Sequence, residues 1–222
     1  MAKGALKWDE DTKRLYSVGV DRGVLYVMGE AGKYQDGVAW SGLTKVSESP
    51  EGAESNKKYA DNRVYANIIS TESFKGTIEA YYSPKEFDQC DGMVEITKGV
   101  MVTQQTRKKF GLCYRTLIGN DTDSTEHGVE IHLVYGATAS PSSKDRETIN
   151  ESPEPAALSW SFDTEPVNVT GMKPTAHIVI RSTEIEKEKW TKLEEALYGK
   201  GDAGTGTEPK LLLPDEIKTL LQ

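Results

Sequence analysis

The chain has 222 residues, 36% of them hydrophobic, and a formal net charge of −8 at pH 7. This length suits one domain, or one domain with extensions. No apolar stretch approaches the length of a membrane span, and residues 1–8 lack the apolar run of a signal peptide, so we expect synthesis in the cytosol and no membrane segment. The acidic balance disfavours a protein that grips nucleic acid, since phosphate binding requires clusters of lysine and arginine.

Hydrophobic and polar residues alternate along much of the chain, which is the pattern of half-buried antiparallel strands. The alternation is clearest from Val129 to Tyr135, where every second residue is apolar. Asp-Gly and related turn sequences separate several of these segments. The predicted strands, in chain order, are 24–28, 63–69, 77–82, 94–104, 129–135, 158–162 and 177–181.

One segment, residues 184–198, changes from a period of two to a helical period, with an apolar stripe from Trp190 to Leu197. Thr183 and Glu186 fit a capping box at its start, and Gly199 fits a C-terminal stop. The sequence therefore predicts a mainly β fold: a β-sandwich or distorted barrel of antiparallel strands, flanked by one α-helix.

Residues 29–56 are rich in Gly, Ser and Glu, which favours a loop, yet they include Tyr34, Trp40 and Leu43. Loops this long are usually functional or disordered. Because apolar and aromatic side chains are embedded in it, we expect the loop to dock on another surface. These three residues are therefore candidates for contacts between subunits.

Residues 201–222 read as a flexible linker followed by an apolar arm, outside a main domain of residues 1–200. A flexible segment with an apolar end can reach a neighbouring molecule. The alternative is an arm that folds back on its own domain, and the sequence leaves both open. The arm's candidate contact residues are Leu211, Leu212, Leu213, Ile217, Leu220 and Leu221.

A search for chemistry yields no catalytic, cofactor-binding or metal-binding residues. The two cysteines, Cys90 and Cys113, are predicted to be free, buried thiols. The spacing of His127, His132 and His177 matches no zinc motif, and a zinc site built from them would depend on a coincidence of folding. The glycine-rich sequence at 199–204 follows the predicted helix and is interpreted as linker.

Aromatic residues offer a further alternative, a platform that binds sugars. Aromatics at strand and helix spacing more often belong to the core, which is the interpretation favoured here. The residues concerned are Trp40, Tyr81, Tyr82, Tyr135, Trp160 and Trp190.

Several phrases of the sequence, in order, resemble the major tail proteins, or tail tube proteins, of siphophages and prophages of Gram-positive bacteria. The resemblance runs nearly from end to end. No single phrase is chemically diagnostic, but the ordered set is specific. The phrases are DRGVLY at 21–26, GVAWSGL at 37–43, ESPEGA at 48–53, YADN at 59–62, FKGTIEAY at 74–81, YRTLIGND at 114–121, IHLVYGA at 131–137, KPTA at 173–176, LEEALYG at 193–199 and LPDE at 213–216.

The resemblance implies a structural virion protein and not an enzyme. Such proteins stack as hexameric rings into a tube around a tape-measure protein, and tail terminator and baseplate proteins meet its ends. Inner strands of neighbouring subunits join into a continuous barrel through which DNA passes without specific binding. No cofactor and no membrane are implied. The protein would be assembled in the host bacterial cytoplasm and end in the virion tail.

Two other functions remain open from the sequence. One is a different phage tail component, such as a tail terminator or collar protein, which has a similar β-sandwich fold but differs in copy number and in how its rings stack. The other is a carbohydrate-binding module, which would require exposed aromatic side chains.

Overall fold

The computed structural model describes residues 6–8, 10–146, 148–149, 151, 155–201 and 206–222. Its mainly β architecture, with antiparallel sheets and two helices, confirms the predicted fold class. The strands are β1 (Tyr16–Val27), β2 (Val38–Trp40), β3 (Leu43–Glu48), β4 (Ser55–Ala60), β5 (Arg63–Ile69), β6 (Lys75–Ala80), β7 (Val94–Thr97), β8 (Val100–Val102), β9 (Phe110–Asn120), β10 (Ser124–Ala139), β11 (Leu158–Thr164) and β12 (His177–Arg181). The helices are α1 (Lys187–Tyr198) and α2 (Pro214–Leu221).

Eight strands form one sheet in the order β2-β1-β9-β10-β11-β6-β3, with β12 paired to β10 beside this path. Strand β10 therefore has two partners on the same side, β12 along residues 130–134 and β11 along residues 137–139. The register of β10 against β9 shifts between Val134 and Ala137. Gly136 permits this bulge: its φ is +59°, and a Cβ there would lie 2.4 Å from the carbonyl oxygen of Glu165.

The sheet curls around an inner core made from every second residue of its strands. Large aromatic rings fill the middle of this core, with Phe87 in edge contact with both Phe110 and Trp160. Trp40 lies against the same rings and donates its indole N–H to the carbonyl of Tyr82, 2.9 Å away. The indole N–H of Trp160 also has an acceptor, Oδ2 of Asp91 at 3.3 Å, so hydrogen bonds offset the desolvation of both indole groups.

A second core lies on the outer face of β1, β9, β10 and β12, beneath the two helices. Tyr26 of β1 donates its hydroxyl hydrogen to the carbonyl of Leu197 at the end of α1, a distance of 2.5 Å. Tyr135 of β10 donates in the same way to the carbonyl of Leu212, 2.8 Å away. These bonds join the end of α1 and the segment just before α2 to the sheet at defined positions.

Helix α1 begins three residues later than the predicted 184–198. Residues Ser182–Glu184 form a 3₁₀ turn, and Glu186 precedes the helix without a side-chain cap, so the predicted capping box is wrong. The physical reason is that Thr183 lies inside the 3₁₀ turn, four residues before the first residue of α1, and is too far from the helix to cap it. The predicted stop is confirmed, because Gly199 follows the helix with a φ of +80°.

Residues 29–56 do not form a long loop, which corrects the sequence-based expectation. They contain β2 and β3, which pair with β1 and β6, and a 3₁₀ turn. Ser41 and Gly42 form the tight connection between β2 and β3. The aromatic and apolar side chains therefore dock on the chain's own body.

The C-terminal arm also folds back on its own domain, which was the alternative left open. Leu211 and Ile217 are buried in the outer core, and Leu211 fills the space over Gly111. Helix α2 packs against α1, and Lys189 donates hydrogen bonds to the carbonyls of Leu221 and Gln222. Of the predicted linker, residues 202–205 lie outside the described residues.

Cys90 and Cys113 are free and buried, as predicted. Burial raises the pKa of each thiol to about 12, so neither is a reactive nucleophile near neutral pH. Within the described ranges, no helix is long and apolar enough to span a membrane.

The packing of the arm predicts that the substitution Leu211→Ala destabilises the isolated protein by about 2–5 kcal/mol, because it opens a cavity in the outer core. Leu213→Ala is the matched control. Its side chain is 42% exposed, so its removal should change the unfolding free energy by less than about 0.5 kcal/mol. Urea denaturation of both variants measures the difference, and equal stabilities would contradict the assignment of Leu211 to the core.

Candidate functional site

Four strand segments extend beyond the part of the sheet that encloses the inner core. They are the first half of β1, the second half of β9, the first half of β10, and β12, which pair in that order. Bulges in β1 between Val18 and Val24 bend this extension away from the rest of the strand. The extension is a four-stranded antiparallel sheet with an edge strand on each side.

The β1 edge of this extension is open. Tyr16, Ser17 and Val18 pair with β9 on one side, while β2 pairs only with residues 23–25 farther along β1. No strand in the described part of the chain pairs with the other side of Tyr16–Val18. The Val18 side chain is 43% exposed, and an unpaired, partly apolar edge of this kind is a template for another strand.

The β12 edge is open in the same way. Strand β12 pairs with β10 through residues 130–134 of the latter, and no strand among the described residues covers its other side. Val179, at its centre, is 42% exposed. The extension therefore carries two edges on opposite sides that no strand among the described residues covers. At the start of β12, the Thr175 hydroxyl already hydrogen-bonds the backbone N–H and C=O of His177.

The directions of the two edge strands are compatible with pairing between copies. Each of the three pairings across the extension is antiparallel, so β1 and β12 run in opposite directions. When β1 of one copy lies beside β12 of the next, the new pair is antiparallel as well. The sheet can thus continue from copy to copy without changing its type.

Ion pairs on neighbouring strands hold the extension in register. Arg115 of β9 binds Asp21 of β1 through two hydrogen bonds, of 2.7 and 2.5 Å, in a bidentate arrangement. Arg181 of β12 donates to Glu130 of β10 at 2.7 Å. Because each pair links adjacent strands, both edge strands are fixed to the two central ones.

A second exposed feature is the β4–β5 hairpin, which pairs with no other strand among the residues that the structure describes. Both of its faces are open: Ile68 and Ile69 are neighbours on opposite faces, and they are 55% and 65% exposed. Tyr59 and Tyr65 are exposed as well. An isolated hairpin is marginally stable in water, and exposed apolar groups of this size mark a contact surface.

The structure places the nine predicted contact residues mostly in the interior of the chain, which corrects the sequence-based assignment. Trp40 belongs to the inner core, and Tyr34 accepts a hydrogen bond from the backbone N–H of Gly136. Leu43 packs against the inner core, and Leu213 alone of the nine is exposed. Those in the outer core or against it are Leu211, Leu212, Ile217, Leu220 and Leu221.

Sequence reasoning missed the residues that take their place. Val18 and Val179 could not be recognised as edge residues in the sequence, because edge strands and central strands show the same alternation of apolar and polar residues. The exposed hairpin could have been predicted, because β5 was predicted as a strand and its apolar residues fall on both faces.

Of the aromatic residues considered for sugar binding, Tyr81 and Tyr82 are exposed, whereas Trp40, Tyr135 and Trp160 are core residues.

Three potential metal ligands meet at one end of the molecule, between β3, β10 and β12. Nδ1 of His132 lies 3.3 Å from Nε2 of His177 and 3.3 Å from Oε1 of Glu48. Nε2 of His177 lies 3.8 Å from the same carboxylate oxygen. Within the described residues, this is the one group of His, Cys, Asp or Glu side chains with three ligand atoms within 4.8 Å of one another.

Aromatic rings enclose this cluster. The Tyr114 ring stacks on His132 at a centroid distance of 4.6 Å, and Phe74 stacks on His177 at 4.5 Å. The Tyr114 hydroxyl donates to Oε1 of Glu48 at 2.6 Å. Hydrogen bonding with His132 lowers the pKa of Glu48 to about 2, whereas burial lowers the pKa of His177.

Comparisons with known proteins do not indicate a function, which is therefore inferred from the surfaces described above. No protein-family model matches the chain, and no curated protein matches it.

The exposure of the β4–β5 hairpin predicts that it contributes little to the stability of a single copy. The double substitution Tyr65→Ser and Ile69→Ser should change the unfolding free energy by less than about 0.5 kcal/mol per site, since neither side chain is buried. Urea denaturation at low protein concentration checks this. A loss of several kcal/mol would show that the hairpin packs on its own domain.

Proposed function

We propose that this chain is the tail tube protein of a long-tailed bacteriophage, a structural subunit that assembles with copies of itself. The observation that carries the proposal is the pair of open edges, on β1 and β12, whose directions allow one antiparallel sheet to run through successive copies. The ordered sequence phrases that resemble major tail proteins support the same function. The proposal includes no catalytic residue and no cofactor.

A closed ring satisfies both edges in every copy. Because each subunit would use its β12 edge on one neighbour and its β1 edge on the other, the contact is head to tail and can close by rotation. Six copies contribute roughly 24 strands, and at about 4.8 Å spacing with the usual tilt the backbone wall has a diameter of roughly 40–50 Å. After side chains are added, such a wall leaves room for a DNA duplex.

The β4–β5 hairpin supplies the second contact that a tube requires. Ring closure uses the sheet edges, so stacking of rings needs a different surface. The hairpin projects from the body with exposed Tyr65, Ile68 and Ile69. We assign it to contact between rings, the role that residues 29–56 and the C-terminal arm were expected to have.

Partners and location follow from this function. The tube would surround a tape-measure protein, meet terminator and baseplate proteins at its ends, and let DNA pass without specific contacts. The acidic net charge of −8 fits a wall that does not hold DNA. Assembly would take place in the host bacterial cytoplasm.

Electron microscopy of the purified full chain, from dilute to concentrated, tests the proposal. We expect hollow tubes or stacked six-fold rings. A tail terminator would instead give single rings that do not stack. Monomers at every concentration, together with measurable affinity for a glycan array, would support a carbohydrate-binding module that uses Tyr81 and Tyr82.

The edges themselves are tested by the double substitution Val18→Lys and Val179→Lys, which places a charge on each unpaired strand and should abolish ring formation. The control is Ser161→Lys. Ser161 is also an exposed strand residue, but its backbone is engaged on both sides: it pairs with Thr77 of β6, and its carbonyl accepts a hydrogen bond from the backbone N–H of Ser140. Circular dichroism verifies that both variants fold. Tubes of normal appearance from the double variant would contradict pairing through these edges.

A further inference from the structure

We propose that Glu48, His132 and His177 bind a divalent transition-metal ion, Zn²⁺ by the chemistry of the ligands. The site is independent of the proposed assembly function, since it lies within a single copy. It consists of two imidazole nitrogens and one carboxylate oxygen, a set that suits zinc and not calcium or magnesium.

The distances among the ligand atoms fit a tetrahedral ion. Bonds of about 2.0–2.2 Å at tetrahedral angles separate neighbouring ligand atoms by about 3.3–3.6 Å. The three separations in the protein are 3.3, 3.3 and 3.8 Å. The two imidazole rings lie nearly parallel, with an interplanar angle of 8°, so they would rotate until their lone pairs converge on one ion.

Outer contacts hold two of the ligands in the required orientation. Nε2 of His132 lies 3.1 Å from Oγ1 of Thr116, so a proton on Nε2 can be donated there, which leaves Nδ1 free to bind the ion. The Tyr114 hydroxyl fixes the Glu48 carboxylate in the same manner. Such partners of metal ligands are a regular feature of zinc sites.

The fourth coordination position can be filled by water. A cavity of about 320 Å³ adjoins the cluster, and its lining includes Glu48, Phe74 and His177. Three protein ligands and an open position describe a site that an ion can enter from solvent. Binding requires that neither of the two facing ring nitrogens carries a hydrogen, and a neutral imidazole meets this requirement by carrying its hydrogen on the other ring nitrogen.

The ion would join parts of the chain that the backbone does not pair. Glu48 ends β3, at one end of the sheet path, whereas His132 and His177 lie on the paired strands β10 and β12. A metal ion bound at this point would hold β12 in a fixed position relative to β3. Because an ion that binds the folded state stabilises it, zinc should raise the melting temperature.

The test uses the untagged full chain, freed of metal with a chelator, and calorimetric titration with ZnCl₂. We expect one equivalent of zinc to bind, with a rise in melting temperature and no comparable effect of Mg²⁺ or Ca²⁺. Co²⁺ in place of zinc should give the visible absorption of a tetrahedral site. Binding below one equivalent, or equal responses to zinc and magnesium, would overturn the proposal.

Variants identify the ligands. Glu48→Gln and His177→Ala should each weaken zinc binding by more than about 100-fold, because loss of an outer contact alone costs up to that factor. Glu48→Gln preserves the side chain's shape, so it remains informative if His177→Ala folds poorly. The control is His127→Ala, which removes the third histidine of the chain, a residue that contacts Asn120 and Asp123 instead. Equal affinity in Glu48→Gln, His127→Ala and the unmodified protein would refute the site.

Discussion

Strand β10 is the element on which both the fold and the proposed assembly depend. It pairs with β9 along most of its length. On its other side it pairs first with β12 and then, farther along the chain, with β11. The bulge at Gly136 makes this division possible, because it shifts the register where one partner gives way to the next. One half of the sheet thereby encloses the inner core, and the other half extends as four strands with free edges.

The two cores explain why those edges can remain exposed. Aromatic packing inside the curl and the cover of α1 and α2 outside it stabilise the strands through the two faces of the sheet, so the fold does not depend on hydrogen bonds at the open edges. The bidentate pair of Arg115 and Asp21 then holds β1 against β9. An edge that is rigid before assembly loses little conformational entropy on pairing, which favours association.

The sequence predicted what depends on local patterning. Alternation identified strands such as residues 129–135 and 177–181, and the helical stripe identified α1. The prediction that the two cysteines are free and buried followed from their number. Features that depend on tertiary packing were not predictable. Apolar residues such as Trp40 and Leu211 look the same in the sequence whether they pack on their own domain or on a neighbour.

The cluster of Glu48, His132 and His177 could not be predicted from the sequence either. His132 and His177 are 45 positions apart, and Glu48 lies on a segment that was expected to be a loop. Only the antiparallel pairing of β10 with β12 and the position of β3 bring the three together. No spacing rule could have found them, because the strands that hold them are joined by long connections.

Cross-linking between copies tests the central claim, that β1 of one subunit pairs with β12 of the next. Ser17 and Val179 project from the same face of the extension, since they pair with Ile118 and His132, which lie on that face of β9 and β10. The variant with Ser17→Cys and Val179→Cys, treated with a short bis-maleimide, should give a ladder of covalent products ending at six copies. Each single variant should give no ladder, because the native cysteines are buried. Assembled particles that yield only monomer on denaturing gels would contradict the account.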